Sequence, residues 1–395
     1  MVPAPAEEPK PAAPPRIVTR TEGVAMAVRR VIVFGPAYLD RVVRVDRSLL
    51  ASGEGGPMDQ SVDGEWKFRD DGGIAVVAPG GYRLEIDVPP GWSGPRGEVR
   101  LANPIRAGRT GTRSVRAVSC NDDLGGMGAG YAAALGGILH SALGPENDPN
   151  SGLVADLIAG HGIDHRPIRI PDRPADWTLL VSSGEFGDKL PIGFRGCHAA
   201  IKPDELADRA EAPCDVLVVA ALPNRLIDTV LRAPGDRLRC LAPAFRNMAD
   251  RRYSVAQFAD RVHILSCNRV EWETLADRDT VAAMVPIIAV TDGPRGAEIR
   301  FTDPDGRPRR IQQPAFPRLR PPRDTNRAGE AFASALIETL LDGGWTATDR
   351  RVGAELMQRA AARASAAAAL ELDRLEFGFP ARAEVDSAIQ AGCVD

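Results

Sequence analysis

The sequence predicts an α/β fold, a mostly parallel sheet with helices on both faces, and three observations carry that prediction. Short apolar runs are continuous rather than alternating, Val31-Ile32-Val33-Phe34 and Ile287-Ile288-Ala289-Val290 among them. Continuous runs are the pattern of strands buried on both faces. From residue 215 onward such runs take turns with helix-like stretches, and this alternation makes the strands parallel and the helices their crossovers. The chain is also long enough. Its 395 residues, 44% of them hydrophobic, can bury the core of one large α/β domain or two smaller ones.

Taken in order, residues 1–28 are rich in Pro, Ala and Glu and are expected to form a disordered tail ahead of a domain spanning 29–395. The first strand runs into Gly35-Pro36. Between about residues 51 and 113, Gly and Pro punctuate short alternating stretches, such as Tyr82-Arg83-Leu84-Glu85-Ile86-Asp87-Val88 after the Pro79-Gly80-Gly81 turn. Half-exposed hairpins have that pattern. Small and apolar residues at 127–143 suit a helix packed closely on a sheet. Residues 215–220 read as a strand before a helix at 224–231, 239–241 as a short strand, and 262–265 as a strand before a helix at 270–276. A strand at 287–290 turns at Asp292-Gly293 and returns at 297–301. Two long Ala/Leu-rich helices, 328–341 and 349–371, are expected to close the chain.

Composition removes several function classes. The net charge is −4, from 49 basic and 53 acidic residues without a long tract of either sign, so no electrostatic surface for nucleic acid or an anionic membrane is expected. The longest apolar stretches are too short to span a bilayer, and no secretory signal is seen at the start. The cysteines are scattered, with no C-x-x-C pair, which reads as reduced thiols and a cytoplasmic location. His161 and His165 are four apart, but Gly162 between them points to a loop rather than a zinc-binding helix face.

The chemistry concentrates in Asp324-Thr325-Asn326-Arg327-Ala328-Gly329-Glu330-Ala331-Phe332, a polar turn running into an apolar helix. Unpaired amides and the helix dipole make such a terminus an anion site. A carboxylate held there can take the proton of a hydroxyl that attacks phosphorus. A capped helix with a favourable acid in its first turn is the plain structural alternative. The segment resembles the C-terminal signature of the ribokinase-like (PfkB) sugar and nucleoside kinase family, Asp-Thr-x-Gly-Ala-Gly-Asp-x-Phe. Asp324, Thr325, Ala328, Gly329 and Phe332 match it. The resemblance implies an anion loop from Thr325 through Arg327, Ala328 and Gly329, with Glu330 as general base where the family has Asp. Glu carries its carboxylate one methylene further out. Arg327 replaces a Gly of the turn, losing its backbone freedom and offering a guanidinium to the transferring phosphoryl group.

Other elements of the family occur in its order. Val33-Phe34-Gly35-Pro36-Ala37-Tyr38-Leu39-Asp40 resembles the first strand and its loop, which implies that Asp40 binds substrate hydroxyls. Gly125-Gly126-Met127-Gly128-Ala129-Gly130 resembles the substrate-approach element Gly-Gly-x-x-x-Asn, with Gly125 and Gly126 matching and Gly130 in place of the Asn. A dinucleotide-binding reading of these glycines needs an apolar strand before them, and Asn121-Asp122-Asp123 is not one. Gly144 to Asp148 and Gly162-Ile163-Asp164 resemble structural turns of the family. Asn268-Arg269-Val270-Glu271 matches Asn-x-x-Glu, implying nucleotide contacts and a Mg²⁺ site in which Glu271 acts through bound water; a helix cap is the alternative. Thr291, Gly293 and Gly296 match the nucleotide loop Thr-x-Gly-x-x-Gly. No P-loop motif is present.

Asp40 and Gly125 are 85 residues apart, which implies an enlarged β lid at about 41–118, joined by a second lid segment at about 174–200. Family lids cover the sugar and often form dimer interfaces, so a homodimer through the lid is one expectation and a solvated decoration the other. Lys189, Arg195 and His198 in the second segment read as exposed charge or as substrate contacts. Two functions fit this sequence. One is an ATP- and Mg²⁺-dependent kinase acting on a hydroxymethyl group of a small sugar or nucleoside. The other is a non-catalytic relative that binds such a ligand in a regulatory role. An unrelated α/β enzyme with a chance series of motifs is a third.

Overall fold

The computed structural model describes residues 29–45, 65–68, 74–78, 82–87, 97–104, 110–183 and 188–394. The expected tail at 1–28 lies outside them. The chain opens with β1 (Val31–Phe34), β2 (Tyr38–Val45), β3 (Glu65–Phe68), β4 (Ile74–Ala78), β5 (Tyr82–Asp87), β6 (Gly97–Pro104) and the long β7 (Thr110–Gly125). There follow α1 (Met127–Leu135), β8 (Ile138–His140), β9 (Ala142–Leu143), α2 (Pro149–Gly160), β10 (Asp164–His165) and β11 (Ile168–Arg169). Next come β12 (Trp177–Ser183), β13 (Asp188–Phe194) and α3 (Pro203–Ala210). The alternation then runs β14 (Val216–Ala220), α4 (Asn224–Leu231), β15 (Leu238–Ala242), α5 (Phe245–Ala249), β16 (Ile264–Asn268), α6 (Arg269–Thr274) and α7 (Arg278–Met284). β17 (Ile287–Thr291), β18 (Ala297–Thr302), β19 (Pro308–Gln313), α8 (Ala328–Asp342), α9 (Ala354–Glu371) and α10 (Arg382–Ala391) complete it.

The main sheet has nine strands in the order β10-β8-β1-β14-β15-β16-β17-β18-β19. It is parallel from β10 to β17 and antiparallel for the last two strands. The two faces of β1 show why its apolar run is continuous. Val31 and Val33 belong to the core cluster that includes Phe332 and Leu336 of α8 and Met357 and Ala360 of α9, while Ile32 and Phe34 belong to the other cluster, with Leu226, Ile227 and Val230 of α4. Helices thus cover both faces, as the sequence predicts. A second, outer sheet of eight strands, β13-β12-β2-β7-β6-β5-β4-β3, is antiparallel except where β12 runs parallel to β2.

Several local expectations need correction. The helix expected over 127–143 ends at Leu135, because Gly136 takes a left-handed conformation (φ 62°) at its C-terminus. The remainder supplies β8 and β9. Strand β16 starts two residues later than expected, after a 3₁₀ turn at Ala259–Arg261. The helix expected from 349 starts at Ala354, and a third helix, α10, follows the two expected ones. The polar run Asn121-Asp122-Asp123, read as not being an apolar strand, lies inside β7 as a polar strand segment. It escapes the apolar rule because the outer sheet is not buried on both faces as the main one is.

Candidate functional site

The carboxyl ends of the parallel strands and the first turn of α8 enclose a cleft of about 830 Å³, the usual place for a ligand in an open α/β sheet. Its walls include Asn268, Glu271, Thr291, Gly293 and Gly296 together with Thr325, Arg327, Ala328, Gly329 and Glu330. These residues are far apart in sequence, and the fold gathers them around one space.

Helix α8 begins after Arg327, with Glu330 in its first turn. The amides of Ala328, Gly329 and Glu330 stand where a helix has no internal acceptors, at the positive end of the dipole. A Cβ added to Gly329 would meet nothing within 4 Å, so there is room before the turn. Behind it, the N–H groups of Arg323 and Asp324 both donate to the Leu372 carbonyl at the end of α9 (2.8 and 3.1 Å). Asp324 is buried and accepts from the Asn326 amide (2.8 Å), shaping the loop.

Arg327 is one of two non-glycine described residues with positive φ, at 63°. Its side chain leaves the first turn for another set of partners. Nε donates to Glu371 Oε1 (3.1 Å), Nη1 to Asp123 Oδ2 (3.2 Å) and Nη2 to the Glu376 carbonyl (3.0 Å), and the guanidinium lies 5.7 Å from the Phe377 ring centre. Burial opposes the charge, but Asp123 and Glu371 raise the pKa of Arg327 above its ordinary value. Burial pushes Glu371 up to about 7, against the pull of Arg327 and Arg374 and with help from Glu330.

Asn268 and Glu271 cap α6 reciprocally: the Asn268 amide donates to Glu271 Oε2 and the Glu271 amide to Asn268 Oδ1, both at 2.8 Å. This is a capping box, and both residues also line the cleft. Cap and cleft wall are therefore the same pair. The glycines of the next loop have clear reasons. Gly296 has φ 88°, and a Cβ there would come within 2.0 Å of the Gln313 carbonyl oxygen. Thr291 ends β17, and its hydroxyl faces the Cys267 carbonyl at 3.4 Å.

Asp40, Gly125, Gly126 and Gly130 are not among the cleft-lining residues; they stand beside it, where the outer sheet meets α1. Asp40 is in strand β2 rather than a loop, opposite Asp123 of β7, with Tyr38 opposite Gly125. The Asp40 carboxylate lies over Gly125, within 2.6 Å of where a Cβ would be. Gly126 (φ 98°) permits the close passage of Pro36. Gly130 abuts Glu330, whose Cγ would be 3.2 Å from an added Cβ. Burial raises the pKa of the Tyr38 hydroxyl, and the charges of Asp40 and Glu330 raise it further, against a hydrogen bond with Thr178.

Other expectations resolve structurally. Asp148 caps α2. His161 packs on Phe377 (4.7 Å between ring centres) and His165 meets the Ser141 hydroxyl through Nε2 (2.8 Å), so these two share no site. His198, expected as exposed charge or a ligand contact, is buried: Asp176 accepts from Nδ1 (2.9 Å) and the Ala142 amide donates to Nε2 (3.3 Å). Asp176, Cys197 and His198 converge closely enough for a metal, but both ring nitrogens are already committed and burial pushes the Cys197 thiol well up. All six cysteines are free. The side chain of Lys189 lies outside the described residues. No helix among the described residues is long and apolar enough to cross a membrane.

Sequence reasoning missed part of the cleft. Phe316, Arg318, Ala368, Ala369 and Leu372 line it as well. They come from a Pro-rich connection and an Ala-rich helix face, neither of which carries a motif. Arg318 is anchored by Asp373 (2.6 Å). Asp123 and Glu371, the partners of Arg327, were missed too.

No family model matches the chain, and no curated protein matches it. Solved structures do. The chain is similar to a ribokinase from Thermotoga maritima (16% identity, TM-score 0.57), with 92% of this chain and 99% of that one covered. It is similar to a nucleoside kinase from Methanocaldococcus jannaschii (12%, TM-score 0.59, 92% and 98% covered) and to an Arabidopsis thaliana ribokinase solved with ribose and ATP (16%, TM-score 0.58, 92% and 99% covered). At these identities the likeness establishes the fold.

Proposed function

With the ribokinase-like fold as premise, we propose that this chain transfers the γ-phosphoryl group of ATP to a hydroxymethyl group of a sugar or nucleoside-type substrate. One observation carries the reading most: Glu330 stands in the first turn of α8, beside open amides, at the junction of the cleft with the outer sheet. Glu330 is the general base that accepts the hydroxyl proton. The amides of Ala328, Gly329 and Glu330 hold the developing phosphoryl charge, with Thr325 alongside. Asp40, with the backbone at Gly125, Gly126 and Gly130, orients the acceptor, and the outer sheet acts as the lid that excludes water. Neighbours of this fold have been solved with ribose and ATP and with inosine, which supports both the nucleotide and the class of acceptor.

The cleft fits a nucleotide: its volume suffices, and its lining combines apolar side chains with helix-terminal amides and with Gly293 and Gly296. Asn268 and Glu271 suit Mg²⁺ through bound water, because the cap holds the Glu271 carboxylate at the wall. When bound, Mg²⁺ would neutralise phosphate charge. Ligand binding without turnover is favoured by one observation: the Arg327 guanidinium is committed to Asp123 and Glu371.

The test is ADP release over a panel of sugars and nucleosides. The kinase reading expects substrate-dependent ADP from the wild type and a loss of ~100-fold or more in Glu330→Gln. Tight ligand binding with no ADP from the wild type would select the binding reading.

A further inference from the structure

Two arginines cross the boundary between the outer sheet and the main domain, and they do so in opposite directions. Arg44, on β2 of the outer sheet, reaches Asp324 Oδ2 (3.7 Å) and donates to the Leu375 carbonyl (3.3 Å). Arg327, at the start of α8, reaches back to Asp123 on β7. Both contacts are largely shielded: the side chains of Arg44 and Arg327 are 15% and 9% exposed, and that of Asp324 is 4% exposed. Both end on the same short stretch of chain, residues 324–327, which the Leu372 carbonyl ties to α9 from behind.

The backbone of Arg327 adds an independent argument. A glycine at φ 63° would be unstrained, whereas an L-residue there is not. Strain persists where the surroundings over-determine it, and here the side chain has four partners: Glu371, Asp123, the Glu376 carbonyl and the Phe377 ring. The planar fork of Arg serves that geometry and a Lys does not.

We propose that Arg44 and Arg327 form a paired latch that fastens the outer sheet to residues 324–327, the turn that leads into the first turn of α8 with Glu330, so that they are positioning residues for the site. The first turn of α8 is set for its ligand when the outer sheet is seated, and unseating the sheet loosens the turn. The latch rests on the kinase reading only for the identity of what is bound beneath it.

Hydrogen exchange on the unliganded full-length protein tests this without any substrate. In Arg44→Ala, Arg327→Gly and Asp123→Asn, amides of β2, of residues 117–125 and of residues 324–330 should exchange ~10-fold faster or more, with β14 to β17 unchanged. Arg44→Lys, which keeps the charge, should recover part of the protection. Faster exchange in the outer sheet with 324–330 still protected would break the proposed coupling. No change in the outer sheet, or a rise spread through the main sheet, would reduce the arginines to ordinary structural contacts. Arg44→Ala keeps the test open should Arg327→Gly fail to fold. Coupled exchange in a protein that releases no ADP would leave the latch and remove the kinase reading; ADP release with uncoupled exchange would do the reverse.

Discussion

At residue 330 the departure from the family pattern has a neighbour that explains how it fits. The methylenes of Glu330 lie against Gly130, with Cγ 3.2 Å and Cβ 3.6 Å from where a Cβ on residue 130 would stand. The family pattern has Asn at that position and Asp at the base. Here the proposed base is longer and its neighbour has no side chain, so the two departures fit each other sterically. Gly130→Asn should therefore crowd Glu330 and slow ADP release by ~10–100-fold, the scale of a misplacement of about 1 Å. The same change in a Glu330→Asp background should cost markedly less. Rates for all four combinations form the cycle, and simple additivity would show that the residues do not interact.

Among the elements, α2 joins the two layers through its cap. Asp148 Oδ2 accepts from the Ser151 amide (3.0 Å), the Ser151 hydroxyl (2.7 Å) and the Ala175 amide (2.8 Å). One oxygen thus starts a helix of the main domain and pins the chain just ahead of β12 in the outer sheet. Asp148→Ala should cost about 1–3 kcal/mol, a lost cap plus an unsatisfied amide; Asp148→Asn, which keeps an acceptor, should cost less. Urea midpoints at pH 7.5 give both values, and a neutral alanine variant would refute the account. The Asn268–Glu271 cap shows why some elements were legible in the sequence: its hydrogen bonds span three residues, so the motif and the structure are the same local object. The end of α1 at Gly136 was less legible, because glycines within an apolar run do not announce which of them turns left-handed.

For the whole molecule, one buried and two half-buried histidines should make stability depend on pH on the acid side. Burial lowers His140, His165 and His263 from 6.5 to about 4, with Arg209, Arg169 and Arg239 respectively adding to the shift. The native state then binds fewer protons than the unfolded chain between those pH values. Their contribution is complete above about pH 6.5 and is lost as pH falls towards 4, at about 1–3 kcal/mol for each group after allowance for partial exposure. Glu371, raised to about 7 mainly by burial, works in the other direction, as one group against three. Stability from urea unfolding should drop between pH 7 and pH 5; an unchanged value would contradict the burial of these imidazoles.

Composition and pattern by themselves determined the layered α/β architecture, the helix that follows Arg327 and the capped turn at Asn268. Each rests on apolar periodicity or on contacts within a few residues, which a linear reading can see. The tertiary structure alone decided that Asp40 is a strand residue facing Asp123, that Gly130 touches Glu330, and that Arg327 turns to Asp123, 204 residues away. The direction of a long side chain depends on which partners the sheet order brings within reach, and sheet order is set by packing across the whole chain.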